Sequence, residues 1–390
     1  MDLEKIVELV NSRMGPMAVE HKRCIKVKSP MSSCDKCLQN CPVDALKIDL
    51  EGKITFSDNC IECGHCAAAC PTQALAIQEP TELNLLNRAE KLGKSGGTVV
   101  LGCKQHPVKG AESMLVPCLG ALTPEFLLNL EMRSYPVYVT LDEENCAQCK
   151  MMSGQEKFQE AHKKALELKD LLVLPGTGLK VVEKVPTIKQ PTGKKRARQV
   201  EVDEGRRNFF GSIFGGLKKA PQAAVDTIAE PFIEKGEEHP VITKMPEITT
   251  DRIKLLQNAV LQTGTKGEVP VPHITRPKSG ENPCFFCRAC ATMCPVGALN
   301  CDEEAGELTH NTRDCTGCGL CTEICFHKSL ELKPSLLSEL GEKEKRVLFS
   351  GTKGTCESCG VQTTSSDQIE KCPICRKKEA ENQVLSIEEE

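Results

Sequence analysis

The chain has 390 residues, of which 27% are charged, a formal net charge of −4, no tryptophan and 25 cysteines. This length indicates several modules rather than one core, and the near-neutral charge argues against nucleic-acid binding. Aromatic residues make up only 3% of the chain, so aromatic packing can contribute little to the core. We therefore expect the cysteines to stabilise parts of the fold.

The N-terminal residues predict a reduced, cytoplasmic protein. Asp2 and Glu4 stand where a secretory signal would carry positive charge, and no apolar stretch approaches the length of a membrane span. Disulfides belong to oxidising compartments, so we expect the thiolates to bind metal. Residues 3–10 have the apolar spacing of a short helix.

The first cysteine-rich region runs from Cys24 to Cys70. Its second half reads Cys60-x2-Cys63-x2-Cys66-x3-Cys70-Pro71, and its first half reads Cys34-x2-Cys37-x3-Cys41-Pro42. Met31 stands where a leading cysteine would fall, and a thioether is a poor ligand for an iron–sulfur cluster. We predict that Cys24 supplies the missing thiolate. The alternative is that Cys24 is a buried structural cysteine and that the cluster has three irons or is labile.

A second region, residues 284–325, contains the same pattern in full, with Phe326 in place of the last proline. Two-residue gaps let one loop bind three irons of a [4Fe–4S] cube, and the three-residue gap directs the fourth thiolate to a neighbouring cube. Zinc sites use two ligand pairs separated by a longer gap. The predicted ligand sets are set A (Cys24, Cys34, Cys37, Cys70), set B (Cys60, Cys63, Cys66, Cys41), set C (Cys284, Cys287, Cys290, Cys325) and set D (Cys315, Cys318, Cys321, Cys294).

This second region resembles bacterial two-cluster ferredoxins across its whole span, which implies a ferredoxin-like fold and electron transfer. The sequences CPVDAL at 41–46 and CPVGAL at 294–299 indicate an internal duplication. We therefore predict dicluster modules at 1–80 and 276–335. His65 is expected to be a solvent-facing loop residue, with coupling of a proton to reduction as the alternative.

The region 95–174 predicts a small α/β layer whose four cysteines lie on loops at one end. Thr81 and Glu82 open a helix that precedes it, and Ser153 with Glu156 forms a predicted capping box. The predicted strands are Thr98–Leu101, Met114–Pro117 and Tyr135–Leu141, and the predicted helices start at Thr123 and Ser153 and end near Met132 and Leu168.

The order Cys103-x14-Cys118-x27-Cys146-x2-Cys149 resembles the thioredoxin-fold [2Fe–2S] ferredoxins and the delta subunit of methyl-viologen-reducing hydrogenases. The resemblance implies a thioredoxin-like fold with a [2Fe–2S] cluster on these four residues, the central set, although the late pair differs by one residue from the ferredoxin spacing. Structural zinc and a redox dithiol at Cys146 and Cys149 are the alternatives.

Residues 175–275 are rich in proline and predict a linker that contains helices. The basic run at 194–198 is expected to be solvated rather than to bind nucleic acid. The apolar stripe at 209–219 has three interpretations: contact with a partner protein, peripheral contact with a membrane, or packing within the protein. A helix is predicted at Thr250–Gln262.

Residues 345–380 contain Cys356-x2-Cys359-Gly360 and Cys372-Pro373-x-Cys375, a pattern typical of a tetrahedral four-thiolate site. These knuckles are similar to zinc ribbons and to rubredoxin-like domains. The flanks lack aromatic residues, which favours zinc over mononuclear iron at this C-terminal set. Cys301 is left over and is expected to be a buried structural residue.

Together these patterns predict an α+β multi-domain electron-transfer protein. The sequence lacks the glycine-rich motifs that bind phosphate groups, and it lacks the residue order of a catalytic triad. We therefore expect a non-catalytic subunit that relays low-potential electrons between redox partners in a cytoplasmic oxidoreductase complex. The alternatives are a disulfide or thiol oxidoreductase that uses the central set, and an iron-dependent regulator whose basic linker binds nucleic acid.

Overall fold

The structure is a computed structural model. It describes residues 17–78, 80–108, 114–151, 153–174, 178–185, 252–263, 270–277, 284–336, 345–365, 371–372, 374–376 and 378–379. The predicted helix at 3–10, the basic run at 194–198 and the apolar stripe at 209–219 lie outside these residues.

The N-terminal module consists of two antiparallel strand pairs with short helices between them. The first strand pairs with the last, and the two middle strands form a hairpin. Its buried core combines aliphatic side chains such as Val19, Ile54 and Leu75 with the ligand-set residues Cys66 and Cys70. The elements are β1 Met17–Val19, α1 Ile25–Lys28, α2 Lys36–Gln39, β2 Leu46–Ile48, β3 Ile54–Phe56, α3 His65–Ala69 and β4 Leu75–Ile77.

The central domain has a four-stranded sheet. Thr81 caps α4 and Thr123 caps α5, each accepting a bond from a backbone N–H of the first turn. The elements are α4 Glu82–Lys94, β5 Val99–Cys103, β6 Met114–Val116, α5 Pro124–Glu131, β7 Val137–Thr140, α6 Glu143–Ala147, α7 Gly154–Leu171 and β8 Leu179–Val182. The predicted strands and helices are therefore present, but the predicted capping box is not, because the Ser153 side chain makes no capping bond.

The expected thioredoxin-like fold is wrong for this domain. All neighbouring strands run parallel in the order β6-β5-β7-β8, whereas a thioredoxin-like sheet contains antiparallel strands. Numbered within the domain, the order is 2-1-3-4, which is the beginning of the flavodoxin-like doubly wound order. The alternation of strands and helices in this region is typical of a parallel sheet, whereas the expectation of a thioredoxin-like fold came from the order of the cysteines.

Two elements from the predicted linker belong to the central domain. Strand β8 forms one edge of its sheet. Helix α8, Arg252–Thr263, buries Ile253, Leu255 and Leu256 in the same core as the sheet. The helix prediction is confirmed, but the interpretation of 175–275 as linker alone is corrected, because its apolar face completes the central core.

Apart from α1, the second module repeats the element order of the first, which supports the predicted duplication. Its outer strands pair with each other and its middle strands form a hairpin. The elements are β9 Pro270–Pro277, α9 Ala289–Thr292, β10 Leu299–Asp302, β11 Glu307–His310, α10 Leu320–Ile324 and β12 Leu330–Leu336. In the part of the chain that the structure describes, no helix is both long and apolar enough to cross a membrane.

The C-terminal region is joined to the second module. Strand β13, Arg346–Ser350, pairs with β11, so the predicted boundary at 345 cuts through one sheet. The hairpin of β14, Thr352–Thr355, and β15, Gln362–Ser365, then carries the first cysteine knuckle in its turn.

Candidate metal centres

Each of the four cysteine runs ends in the same local turn. The third residue after the last cysteine has a left-handed backbone, with φ values of 49°, 53°, 68° and 52° at Asp44, Gln73, Gly297 and Lys328. The turn aims the next N–H back at the thiol: Ala45 N donates to Cys41 Sγ (3.2 Å), Ala74 N to Cys70 Sγ (3.2 Å) and Ser329 N to Cys325 Sγ (3.3 Å). Such N–H···S bonds stabilise a ligand thiolate and tune its cluster.

The structure brings the residues of set A together, including Cys24. Burial, followed by the neighbouring thiols of Cys70 and Cys34, raises the pKa of Cys24. Burial and the thiols of Cys70, Cys24 and Cys34 raise the pKa of Cys37 to about 12. Met31, in contrast, is 92% exposed, as expected for a residue that is not a ligand.

Set B is also assembled. Burial and the thiols of Cys63, Cys60, Cys37 and Cys41 raise the pKa of Cys66. One of these neighbours, Cys37, belongs to set A. The two sets of the N-terminal module are therefore adjacent, as the spacing of the runs predicts.

Sets C and D are assembled in the second module. Burial and the thiols of Cys321, Cys318 and Cys294 raise the pKa of Cys315 to about 12. Cys284 lies near Cys287 and Cys325, the other members of set C.

Cys301 has a position that the sequence did not indicate. It is half-buried and lines the same cavity as the four residues of set C. Its pKa is raised to about 11, first by burial and then by the Cys284 thiol. The expectation of a buried structural cysteine is corrected, because Cys301 is only half-buried and β10 places its thiol beside set C.

The residues of sets A to D fit iron–sulfur clusters on two observations. Their thiols are grouped in fours, and a backbone N–H donates to three of the remote cysteines, Cys41, Cys70 and Cys325. Burial raises the pKa of the Cys37 and Cys315 thiols far above neutral pH, so a bound cation is needed to hold them as thiolates.

The central set lines a cavity of about 540 Å³ at the carboxyl ends of the parallel strands. Cys103 ends β5, Cys118 follows β6, and Cys146 and Cys149 follow β7. Burial raises the pKa of Cys118 to about 12, and the thiols of Cys103 and Cys149 contribute. The carboxyl ends of an open parallel sheet are where such folds bind ligands.

His65 joins the N-terminal module to the central set. Its side chain is 1% exposed, and its Nε2 lies 3.3 Å from Cys118 Sγ. Burial, with a smaller contribution from Lys157, lowers the pKa of His65 to about 4, so the ring is neutral at neutral pH. The expectation of a solvent-facing loop residue is therefore wrong, because the central domain covers this loop.

Two glycines allow the N-terminal module and the central domain to approach each other closely at His65 and Cys118. A Cβ at Gly154, the first residue of α7, would overlap Cys118 Sγ, and a Cβ at Gly120 would lie 2.8 Å from His65 Nε2. Cys63, Cys118 and Met151 form one buried cluster with Cys149 packed against it. No pattern in the sequence marks this junction, since its residues come from three distant segments.

The C-terminal set has the geometry of a single-ion site. Among the described residues it is the one group of three or more potential ligands whose donor atoms lie within 4.8 Å of one another: Cys356, Cys359, Cys372 and Cys375. The Cys372 N–H donates to Cys356 Sγ (3.1 Å), and this bond lowers the pKa of Cys356 to about 6. A thiolate at neutral pH is the form that binds metal.

Helix α8 connects the three parts of the molecule. The Arg252 guanidinium donates to the carbonyls of Ala67 (2.6 Å), Ala68 (2.9 Å) and Cys70 (3.1 Å) in the N-terminal module. The Asn129 amide of the central domain donates to Leu255 O (3.0 Å). The Gln257 amide donates to Arg313 O in the second module (2.7 Å).

The two modules also contact each other directly. The Ser32 hydroxyl and the Ser33 N–H donate to the Glu323 carboxylate at 2.9 and 2.7 Å. Ser33 precedes Cys34 of set A, and Glu323 lies between Cys321 of set D and Cys325 of set C. The contact therefore joins the cluster-binding loops of both modules.

Comparison with known proteins supports the ferredoxin modules. Residues 32–75 and residues 283–329 each match a family described as 4Fe-4S dicluster domain. Ferredoxins of Streptomyces griseus and Saccharopolyspora erythraea are 29% and 27% identical over 93 and 85 residues, which cover 22% and 20% of this chain and 84% and 80% of those proteins.

A third relative is a protein of the ion-translocating oxidoreductase complex of Methanosarcina acetivorans. It is 38% identical over 50 residues, which cover 13% of this chain and 18% of that protein. With the dicluster matches and the grouped thiols, these findings define the class: the chain is an iron–sulfur electron-transfer protein with two 4Fe–4S dicluster domains.

Proposed function

We propose that this protein relays low-potential electrons between partner proteins of a cytoplasmic oxidoreductase complex. The observation that carries the proposal is the continuity of the thiol sets. The Glu323 contact joins the second module to set A, Cys37 and Cys66 place set A beside set B, and His65 joins set B to the central set. Each [4Fe–4S] cluster accepts one electron at a time, so clusters in series form a path.

The protein supplies the conditions for transfer. Burial of Cys63, Cys66 and Cys70 keeps water away from set B and its neighbour, and the backbone N–H bonds to Cys41 and Cys70 favour the more negative, reduced state. The likeness to a component of an oxidoreductase complex supports partner proteins at the ends of the path.

The remaining two sites receive different assignments. Since the central thiols are not grouped within 4.8 Å in the described structure, they favour a group larger than one ion, and we assign them a [2Fe–2S] cluster. The compact C-terminal set favours one tetrahedral ion, for which we propose zinc rather than mononuclear iron.

The relay is tested by reducing the anaerobic protein and adding an oxidised ferredoxin in a stopped-flow experiment. We expect the visible absorption of all the clusters to return together, because the electrons share one path. If the absorption of only one module returned while the other stayed reduced, the continuous relay would be contradicted.

A disulfide or thiol oxidoreductase is the second candidate, and the size of the central cavity favours it. By the same measure, sets C and D enclose cavities of only about 20 Å³ each, compared with about 540 Å³ at the central set. The central cavity therefore has room for a small molecule beside a cluster.

A small disulfide distinguishes the two functions. Bis(2-hydroxyethyl) disulfide would take two electrons and two protons to give two thiols, so an oxidoreductase would oxidise two reduced clusters per disulfide. For the relay we expect no oxidation of the clusters. We also expect Cys146 and Cys149 to resist iodoacetamide, since a metal-bound thiolate is protected and a free dithiol is not.

A further inference from the structure

We propose that His65 is the positioning residue that couples set B to the central set, so that electrons enter or leave the central site through set B. The proposal rests on the proposed relay. It assigns a role to a side chain that lies between Cys63 and Cys66 in sequence and whose Nε2 contacts Cys118 of another domain.

The geometry gives His65 a defined hydrogen-bonding role. A ligand thiolate has no hydrogen, so the 3.3 Å contact requires Nε2–H to donate to Cys118 Sγ. Nδ1 is buried and has no hydrogen-bond partner among the described residues. Buried polar atoms in proteins are nearly always paired, so packing alone does not account for a histidine here.

The surroundings hold the imidazole in this position. Gly120 and Gly154 leave no space for a side chain between the ring, Cys118 and the start of α7. Lys157 of α7 donates to the Asn40 side chain, beside Cys41 of set B. The N-terminal module and the central domain are therefore joined by two contacts, His65 with Cys118 and Lys157 with Asn40.

The same geometry selects set B over set A as the neighbour of the central site. Cys63 of set B contributes to the buried cluster around Cys118, and its thiol raises the pKa of Cys118. Set A cysteines do not take part in that cluster of described residues. With clusters bound by set B and the central set, the transfer would move one electron from the first to the second and would form or break no bond.

Spectroscopy of the full-length protein tests the contact directly. In protein labelled with ¹⁵N-histidine, we expect pulsed EPR of the reduced central cluster to show a ¹⁵N coupling, because Nε2–H donates to a cluster ligand. His65→Phe should abolish that coupling, and His162→Gln, which changes a histidine of the central domain itself, should retain it. If the unsubstituted protein showed no ¹⁵N coupling at an assembled central cluster, His65 would have no such role.

Kinetics test the consequence. After flash reduction of the N-terminal module, we expect His65→Phe to slow electron arrival at the central cluster by roughly tenfold or more, as for other partners of metal ligands. His65→Gln retains an N–H donor and should restore most of the rate. An unchanged rate in His65→Phe would overturn the proposal alone, whereas a central site without any cluster would refute the proposed [2Fe–2S] station instead.

Discussion

The two dicluster modules share a cysteine pattern but differ in their surroundings. In the N-terminal module Cys63, Cys66 and Cys70 are buried, and the central domain, α8 and the second module all contact it. In the second module Cys287 is exposed and Phe326 is 75% exposed. The same motif thus forms two kinds of cluster-binding site. One is surrounded by protein, and the other has a ligand loop that reaches the surface.

The largest expected effect is a difference between Cys24 and Cys301, the two module cysteines that lie outside the repeated runs. Cys24→Ala should remove or truncate one cluster, with a loss of about one to four irons per chain, because Cys24 lies with the other thiols of set A. Cys301→Ala should retain all four clusters, since set C already has four ligands. Iron analysis and EPR of both variants give the comparison, and four intact four-iron signals in Cys24→Ala would refute its assignment.

The difference in exposure predicts which cluster is attacked first. Because Cys287 is at the surface, ferricyanide should produce a three-iron EPR signal from set C before set B. The signal is assigned by comparison with the variants Cys287→Ala and Cys63→Ala, which remove one ligand of set C and one ligand of set B. If the first signal matched that of Cys63→Ala, ferricyanide would reach set B before set C, which would contradict the difference in exposure.

The contacts of α8 should stabilise the N-terminal module more than the second. Arg252→Met leaves three carbonyls without their charged donor and should lower the free energy of unfolding by about 1–3 kcal/mol. Gln257→Met removes one bond to Arg313 and should cost about 0.5–1.5 kcal/mol. Anaerobic denaturation measures both, and a larger loss in Gln257→Met would contradict the comparison.

The smallest effect concerns the direct contact between the modules. Burial alone would raise the pKa of Glu323, but the bonds from Ser33 and Ser32 outweigh it, so the pKa is lowered. The carboxylate therefore stabilises the contact above its unfolded pKa of about 4.3, and this contribution is lost as the pH falls through the lower folded value.

Glu323→Gln tests this contact at neutral pH, where the clusters stay intact. Hydrogen exchange at the Ser33 amide should be faster in Glu323→Gln, because a neutral amide oxygen is a weaker acceptor than a carboxylate. Glu304→Gln changes another exposed carboxylate of the same module and serves as the control. Equal exchange rates in the two variants would show that the charge does not hold the modules together.

Local features were predictable from the sequence, and contacts between segments were not. The cysteine spacing predicted the groups of thiols that the structure brings together, because the two-residue gaps keep neighbouring ligands on one loop and the three-residue gap directs the last cysteine to the other set. Cys24 was predicted because it is the cysteine that precedes Cys34 in the sequence. Thr81 and Thr123 indicated the starts of α4 and α5 for the same reason. The direction of the central strands and the burial of His65 depend on partners far along the chain.

Helix α8 shows most clearly which contacts could not be predicted from the sequence. Its apolar face was visible at Ile253 and Leu256, but composition assigned the helix to a linker. Only the structure shows that its apolar face completes the central core while Arg252 and Gln257 reach two different modules. The polar residues that join the modules have no periodicity of their own, so no pattern in the sequence marks them.

The most direct test of this account is the iron and sulfide content of the anaerobically purified full-length protein, combined with EPR of the fully reduced state. Four [4Fe–4S] clusters and one [2Fe–2S] cluster predict roughly 18 irons per chain and interacting signals from adjacent clusters. Colourless protein, or protein that contained zinc without inorganic sulfide, would contradict it.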